Sequence, residues 1–259
     1  MTAYEAKSTR RNPAYLLYGF VMSLIWPLLM VLPMLLSDNP FLGSAEIPFD
    51  TRTALLIALF AGLTASCFAC GLNILPVTAF SREGSNFAAL KALPVDFREY
   101  YKSKRNFSML VCSLGSVLYV IILGVVCVAL GVITLESSWV ILYGAYISFF
   151  LNLILVNAML IKNSRRLYLN WDSETAFSSK LSWINLVAAI AGVFTLVLLF
   201  MASAFSSWFN EPEMAVYSET ITLITAVVAV SFAVIIFLLA FAVNRYAAKK
   251  IERNLMNYE

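Results

Sequence analysis

The sequence predicts an all-α membrane protein with six transmembrane helices and a short cytoplasmic helix between the second and third spans. Of the 259 residues, 61% are apolar and only 13% are charged, about half the charged fraction of roughly 25% found in globular domains. The charges are grouped, which leaves six long uncharged stretches. Composition therefore excludes an ordinary soluble domain and a disordered chain.

The uncharged stretches give the positions of the spans. Each contains 25 to 30 residues, more than the roughly 20 apolar residues that cross a bilayer as a helix. They are continuous, not alternating, which argues against a membrane β-barrel. We predict a single six-span domain over 1–259, with spans at about 13–36, 53–76, 107–133, 138–161, 182–206 and 220–244.

The basic residues predict the orientation. With the N-terminus in the cytoplasm, the cytoplasmic segments carry 17 of the 18 Lys and Arg residues. Lysine and arginine favour the cytoplasmic side of membrane proteins. We therefore expect a multi-pass protein of the cell membrane, the inner or plasma membrane of a bacterium, with both termini cytoplasmic. The basic residues also suit contacts with anionic lipid and carry no argument for nucleic acid.

The first span begins with Asn12 as a candidate N-cap and Pro13 at the first helical position. Its length and the absence of a small-residue cleavage site argue against a cleaved signal peptide. Pro27 and Pro33 lie inside the span and predict a bend. That bend fits either packing geometry or a helix that moves.

The segment between the second and third spans is the most informative connection. Gly84-Ser85 is expected to end the second helix, and 86–93 to form a short amphipathic helix that Pro94 ends. Asp96 followed by Glu99 then resembles a capping box at the start of a new helix. The apolar side of the short helix needs a partner: the bilayer surface, the protein's own helices or a groove of another protein.

Two external connections also carry signals. The third and fourth spans are expected to form a tight hairpin through about three residues around Glu136. Residues 208–213 combine an aromatic pair with acids and proline, which fits an interfacial or re-entrant segment before the sixth span.

No residues suggest catalysis or a metal site. Histidine is absent, which removes imidazole chemistry and the commonest metal ligand. The expected role of the four cysteines is small apolar packing; they are Cys67, Cys70, Cys112 and Cys127. Asn73, Asn152 and Asn157 fit either interhelical hydrogen bonds or a substrate path. No span centre carries an ionisable residue, which argues against an ion-coupled secondary transporter.

Three segments resemble one family. Thr78-Ala79-Phe80-Ser81-Arg82-Glu83-Gly84, with Leu90-Lys91-Ala92-Leu93-Pro94-Val95 after it, resembles the T-x-x-S-R-E-G-x-x-x-x-x-L-K-x-L-P-V signature of bacterial type-2 ATP-binding-cassette (ABC) exporter permeases. Leu169-Asn170-Trp171 with Asp172 and Glu174 resembles their L-N-W-x-x-E stretch, and the residues from Arg11 to Leu17 resemble their R-x-P-x-Y-L start.

The resemblance implies that the short cytoplasmic helix is a coupling helix seated in a groove of an ATPase subunit. Within the coupling segment 82–105, Phe87, Leu90 and Leu93 would be the apolar contacts. The polar contacts or loop-fixing residues would be Arg82, Glu83 and Lys91, with Pro94 ending the helix. The second cytoplasmic loop would contribute Asn170, Trp171 and Asp172.

The chain contains no G-x-x-x-x-G-K-[ST] loop to hold phosphates. The resemblance therefore implies a permease and not an enzyme, and the missing loop implies that partner ABC ATPase subunits bind ATP and Mg²⁺, with no cofactor in this chain. The expected cargo is a hydrophobic or amphipathic molecule such as a peptide, a lipid-like molecule or an antibiotic. A second six-span permease would face it, in a homodimer, a heterodimer or the two halves of a longer protein. The alternative is a non-transporting scaffold or sensor component of a membrane complex.

Overall fold

The computed structural model describes residues 51–83, 92, 96–129, 133–165, 183–209 and 218–257, and within these ranges it contains helices and no strand. The long helices are α1 (Thr51–Gly71), α2 (Phe97–Ala129), α3 (Trp139–Arg165), α4 (Trp183–Phe209) and α5 (Ser218–Met256), with single 3₁₀ turns at Ser81–Glu83 and Leu135–Ser137. The predicted all-helical fold is confirmed for this part of the chain.

In the described part of the chain, four helices are long and apolar enough to cross a membrane. They cover Thr51–Gly71, Phe97–Ala129, Leu135–Arg165 and Thr220–Met256. Helix α4 contains a shorter apolar stretch, Trp183–Leu198. The first predicted span, 13–36, lies outside the described residues.

Helix α1 ends earlier than its uncharged run suggests. The expectation that this helix continues to Gly84-Ser85 is wrong, because it stops at Gly71. The Asn73 Oδ1 atom accepts the Leu75 N–H at 2.9 Å, and Asn185 of α4 donates its Nδ2 to the Gly71 carbonyl at 3.0 Å. A helix end leaves backbone groups without helical partners, and these two side chains provide partners for them. The helix can therefore end although its surroundings are apolar.

Helix α2 begins where the sequence predicts. Asp96 immediately precedes the helix, and its Oδ1 accepts the Arg98 N–H at 2.8 Å, which is the bond of an N-cap. The predicted helix start is confirmed, although Glu99 pairs with Lys102 and not with the Asp96 backbone. The helix then runs for 33 residues, about 50 Å at 1.5 Å per residue.

The connection between α2 and α3 is longer than predicted. Helix α2 ends at Ala129 and α3 begins at Trp139, so the expectation of about three residues around Glu136 is wrong. The uncharged run hid this connection, because residues 133–135 carry no charge and yet are not part of an α-helix. The 3₁₀ turn Leu135–Ser137 lies within it.

The last two helices differ in length. Helix α4 includes Trp208 and Phe209 as its final residues, whereas the rest of the predicted interfacial or re-entrant segment lies outside the described residues. Helix α5 has 39 residues and is about 58 Å long. It therefore extends well past the predicted span 220–244.

Helix α1 lies at the centre of the described bundle, where fifteen of its 21 residues are buried. It packs against α4, α3 and α2, and α5 packs mainly on α3. Helices α1 and α3 approach each other closely at two glycines. A Cβ atom added to Gly62 would lie 2.5 Å from the Gly144 carbonyl oxygen, so only glycine fits at this crossing.

One end of the bundle collects the charged residues. At this end the C-termini of α1, α3 and α5 meet the N-terminus of α2, because Phe80, Tyr100, Leu160, Ile251 and Leu255 share one buried cluster. We call it the basic end, because it carries Arg98, Lys102, Lys104, Arg105, Lys162, Arg165, Arg245, Lys249, Lys250 and Arg253. The opposite end is marked by the contact between Thr51 and Ser137, whose hydroxyl oxygens are 3.0 Å apart.

Candidate functional site

The chain that leaves α1 at the basic end is folded back onto the bundle and is buried. The Phe80 side chain is completely buried, and its ring centroid lies 5.8 Å from that of Tyr100. Thr78 is also buried and donates its hydroxyl to the Ile74 carbonyl at 2.9 Å. The first half of the T-x-x-S-R-E-G motif is thus part of the folded core.

Asn163, near the end of α3, holds this segment with both atoms of its amide. Its Oδ1 accepts the backbone N–H of Phe80 at 2.7 Å and that of Ser81 at 3.3 Å. Its Nδ2 donates to the Ser81 hydroxyl at 2.7 Å. Because a buried N–H without a partner costs about 1–3 kcal/mol, this single side chain fixes the position of the segment against α3.

Glu83 fixes the same segment against α2. Its carboxylate accepts a hydrogen bond from the Lys104 ammonium. The Lys104 side chain is only 1% exposed and that of Glu83 is 11% exposed. The Lys104 nitrogen also lies 5.1 Å from the centroid of the Tyr100 ring, where the negative face of the ring favours a cation.

We call this set the basic-end junction: Phe80, Ser81, Glu83, Tyr100, Lys104 and Asn163. Helix α5 reaches it as well. Asn254 donates to the Ser164 hydroxyl at 2.9 Å, and Ile251 and Leu255 pack in the same cluster as Phe80. The junction therefore joins α1, α2, α3 and α5 at one point.

The structure places only part of the predicted coupling site. Arg82 and Glu83 lie in the 3₁₀ turn Ser81–Glu83, and Ala92 is helical and exposed. The other predicted residues lie outside the described part of the chain: Phe87, Leu90, Lys91, Leu93 and Pro94 in the first loop, and Asn170, Trp171 and Asp172 in the second.

This chain matches no protein-family model, no curated protein and no solved structure.

Sequence reasoning missed Asn163, which forms three hydrogen bonds to the motif. It follows an apolar run in Lys162-Asn163-Ser164-Arg165 and looks like any polar residue at the end of a span. Its partners are 82 and 83 positions away. The sequence pointed only weakly to Lys104, as one of several charged residues on the helix that follows the loop.

The buried asparagines form interhelical hydrogen bonds. The Asn152 amide accepts from Cys70 of α1 at 3.2 Å and donates to Ser116 of α2 at 2.6 Å. Asn157 accepts from the Tyr101 hydroxyl at 2.5 Å. The structure thus favours the first of the two interpretations of these residues, because their polar atoms are used between helices.

The four cysteines are buried and free of disulfides, as apolar packing predicts. Two of them also take part in polar contacts. Cys70 donates to Asn152, and the Cys112 sulfur lies 3.5 Å from the Asn73 amide nitrogen. In the described ranges no three His, Cys, Asp or Glu side chains are grouped in a way that could hold a metal ion.

Proposed function

We propose that this chain is the transmembrane permease of an ATP-binding-cassette exporter. It moves a hydrophobic or amphipathic cargo, and a separate ATPase subunit hydrolyses the ATP. In this proposal the chain has six spans and both termini in the cytoplasm. The loop 84–95 lies at the cytoplasmic side and contacts the ATPase, and a second permease bundle completes the transport path.

The observation that carries the proposal is the way the two ends of this loop are held. At its start, Glu83 is paired with Lys104 and Ser81 is bound to Asn163. At its end, Asp96 leads directly into the first turn of α2. A displacement of the loop would therefore enter α2 at its first turn and reach α1 and α3 through the junction.

The distance between these attachments supports the same mechanism. Lys104 lies eight residues after Asp96, about 12 Å along α2. Glu83 and Asp96, which flank the loop, are thus both attached near the start of α2. A loop whose two ends are held on one helix suits transmission of motion from another protein, whereas a loop without such anchors would absorb it.

The composition of the helices supports the cargo class. The six predicted spans contain no Asp, Glu, Lys or Arg. The buried amides described above bond to neighbouring helices. A path between such helices suits apolar surface better than a small ion. The sequence contains no phosphate-binding motif, which supports the proposal that a partner hydrolyses the ATP.

The experiment tests Leu90, in the middle of the loop, against Ala92 as a matched control. The chain is co-expressed with each candidate ABC ATPase of the same genome, and any complex is purified. We expect Leu90→Asp to reduce recovery of the complex and its ATPase activity at least tenfold. Burying a leucine is worth roughly 1.5–3 kcal/mol, and the substitution also desolvates a charge.

Ala92→Asp adds the same charge on a residue that is exposed and lies about 160° around a helix from Leu90, at 100° per residue. We expect it to leave recovery and activity within twofold of wild type. Full assembly and activity of Leu90→Asp would refute the coupling role. A wild-type chain that purifies without any ATPase would favour the scaffold or sensor alternative.

A further inference from the structure

An open groove of about 640 Å³ runs along α2 between α3 and α5. Its walls are mainly apolar and include Leu110, Leu114, Leu118, Phe149 and Leu153. Several of these are well exposed, with Leu110 61% exposed and Phe149 44% exposed. The groove is therefore accessible from the side of the bundle.

The groove ends at the basic end on one arginine, Arg105. Its guanidinium donates to Asn244 Oδ1 at 2.8 Å and to Asn106 Oδ1 at 2.7 Å and 3.1 Å. The guanidinium carbon also lies 5.7 Å from the centroid of the Tyr101 ring. Tyr101 is itself held by its hydrogen bond to Asn157.

These contacts orient the arginine without neutralising it. The acceptors of the three bonds at 2.7–3.1 Å are neutral amide oxygens, the Tyr101 phenol beside it is also neutral, and among the described residues no carboxylate forms a salt bridge with it. Three N–H bonds are used, which leaves two of the five donors of a guanidinium for a ligand. A fixed, uncompensated guanidinium favours a phosphate, because it presents paired donors in a planar fork.

The length of the groove fits one leaflet of a bilayer. From Arg105 to Leu118 is thirteen residues, about 20 Å along the helix, compared with about 15 Å for half of a typical hydrocarbon core. An acyl chain lying against Leu110, Leu114 and Leu118 would have its headgroup at the level of Arg105. Charge at one end and apolar surface along the rest match the two parts of a phospholipid.

We propose that this groove is a binding site for an anionic phospholipid, with the lipid phosphate on Arg105 and one acyl chain along α2. A zwitterionic lipid is disfavoured because its own cation competes with Arg105 for the phosphate. The site does not depend on the exporter assignment, since every residue in it lies in α2, α3 or α5. Basic sites between membrane helices are known to bind anionic headgroups.

The test titrates the delipidated full chain with phosphatidylglycerol or phosphatidylcholine and counts bound lipids by native mass spectrometry. For wild type we expect at least tenfold tighter binding of phosphatidylglycerol. Arg105→Gln should abolish that preference, a change of about 1.4 kcal/mol per factor of ten, and Arg105→Lys should keep part of it. Leu114→Trp, which fills the groove, should weaken both lipids.

Arg245→Gln is the matched control. Arg245 is exposed, follows Asn244 on α5 and does not line the groove. We expect phosphatidylglycerol binding within twofold of wild type. An equal loss in Arg245→Gln and Arg105→Gln would show diffuse attraction and overturn the site. Unchanged lipid binding in Leu114→Trp would also overturn the site. The same holds if the wild-type chain forms a lipid-free dimer that Leu114→Trp separates, because the groove would then be a dimer interface.

Discussion

At the scale of single residues, Glu83 and Lys104 form an ion pair inside the folded protein. Both side chains are almost completely buried, and a buried charge that loses its partner is far more costly than an exposed one. The same helix carries an exposed pair, Glu99 with Lys102, whose side chains are 56% and 43% exposed. The two pairs allow the stability contribution of a buried ion pair to be compared with that of an exposed one.

We predict that Lys104→Met lowers the free energy of unfolding by about 3–5 kcal/mol, because it leaves the Glu83 carboxylate buried without its cation. The double variant Glu83→Gln/Lys104→Met should recover most of this loss, since neither charge then remains. Reversible unfolding in detergent micelles, followed by circular dichroism, measures the difference.

Lys102→Met is the control, and we expect it to cost at most about 1 kcal/mol, as exposed pairs do. If Lys104→Met costs no more than this control, the pair in the junction is not a buried one. If the double variant is as unstable as Lys104→Met, the loss comes from the lysine stem and not from charge.

At the scale of helices, the crossing of α1 and α3 depends on two glycines. The added Cβ of Gly62 would meet the Gly144 carbonyl oxygen, and that of Gly144 would lie 2.8 Å from the Ala58 carbonyl oxygen. Both obstacles are backbone atoms, which cannot rotate away. The two helices would have to separate to accommodate a methyl group.

We predict that Gly62→Ala destabilises the protein by about 1–3 kcal/mol, the usual cost of overpacking. Gly192→Ala in α4 is the control. Its added Cβ would meet Cys67 at 3.2 Å and the Phe68 ring at 3.3 Å, which are side-chain atoms. Both variants gain the same helix propensity. The difference between their unfolding free energies therefore measures the cost of the backbone contact at Gly62. Equal stability of the two variants would contradict a backbone crossing.

The ends of the helices show what the sequence could and could not predict. The start of α2 was predictable because Asp96 caps it through a residue two positions away. The end of α1 was not, because it depends on Asn185, more than a hundred residues later. The charge-free runs gave the positions of five described helices, but they could not show where a helix stops inside apolar sequence.

The same distinction applies to the junction. The motif pointed to Ser81 and Glu83, which are local in sequence, and the structure adds their long-range partners Asn163 and Lys104. The sequence could not identify these partners, because the described helices carry many polar side chains near their ends. Only the packing of α2 and α3 shows which of them meet the motif.

At the scale of the whole molecule, the grouping of basic residues predicts the direction of insertion. We predict that a membrane-impermeant thiol reagent added outside the cell labels Glu136→Cys and not Lys249→Cys. Both positions are exposed, so accessibility to water does not distinguish them. The measurement is made after the four native cysteines are replaced, with serine at Cys70 and Cys112 to keep their polar contacts.

Permeabilised cells provide the control, because both variants should then be labelled. The opposite pattern, with Lys249→Cys labelled from outside, would place the basic end on the external face. The loop 84–95 could not meet a cytoplasmic ATPase in that case, and the exporter proposal would fail with the orientation.

The glycine crossing lies near the middle of α1. From Gly62 to Gly71 is about 14 Å along the helix axis, and from Gly62 to Thr51 is about 16 Å. Backbone contact at such a point makes it a fulcrum. If α1 tilts as a rigid rod about Gly62, a movement of its basic end in one direction carries its opposite end a similar distance in the other. One short helix could in this way open one face of the membrane protein while it closes the other.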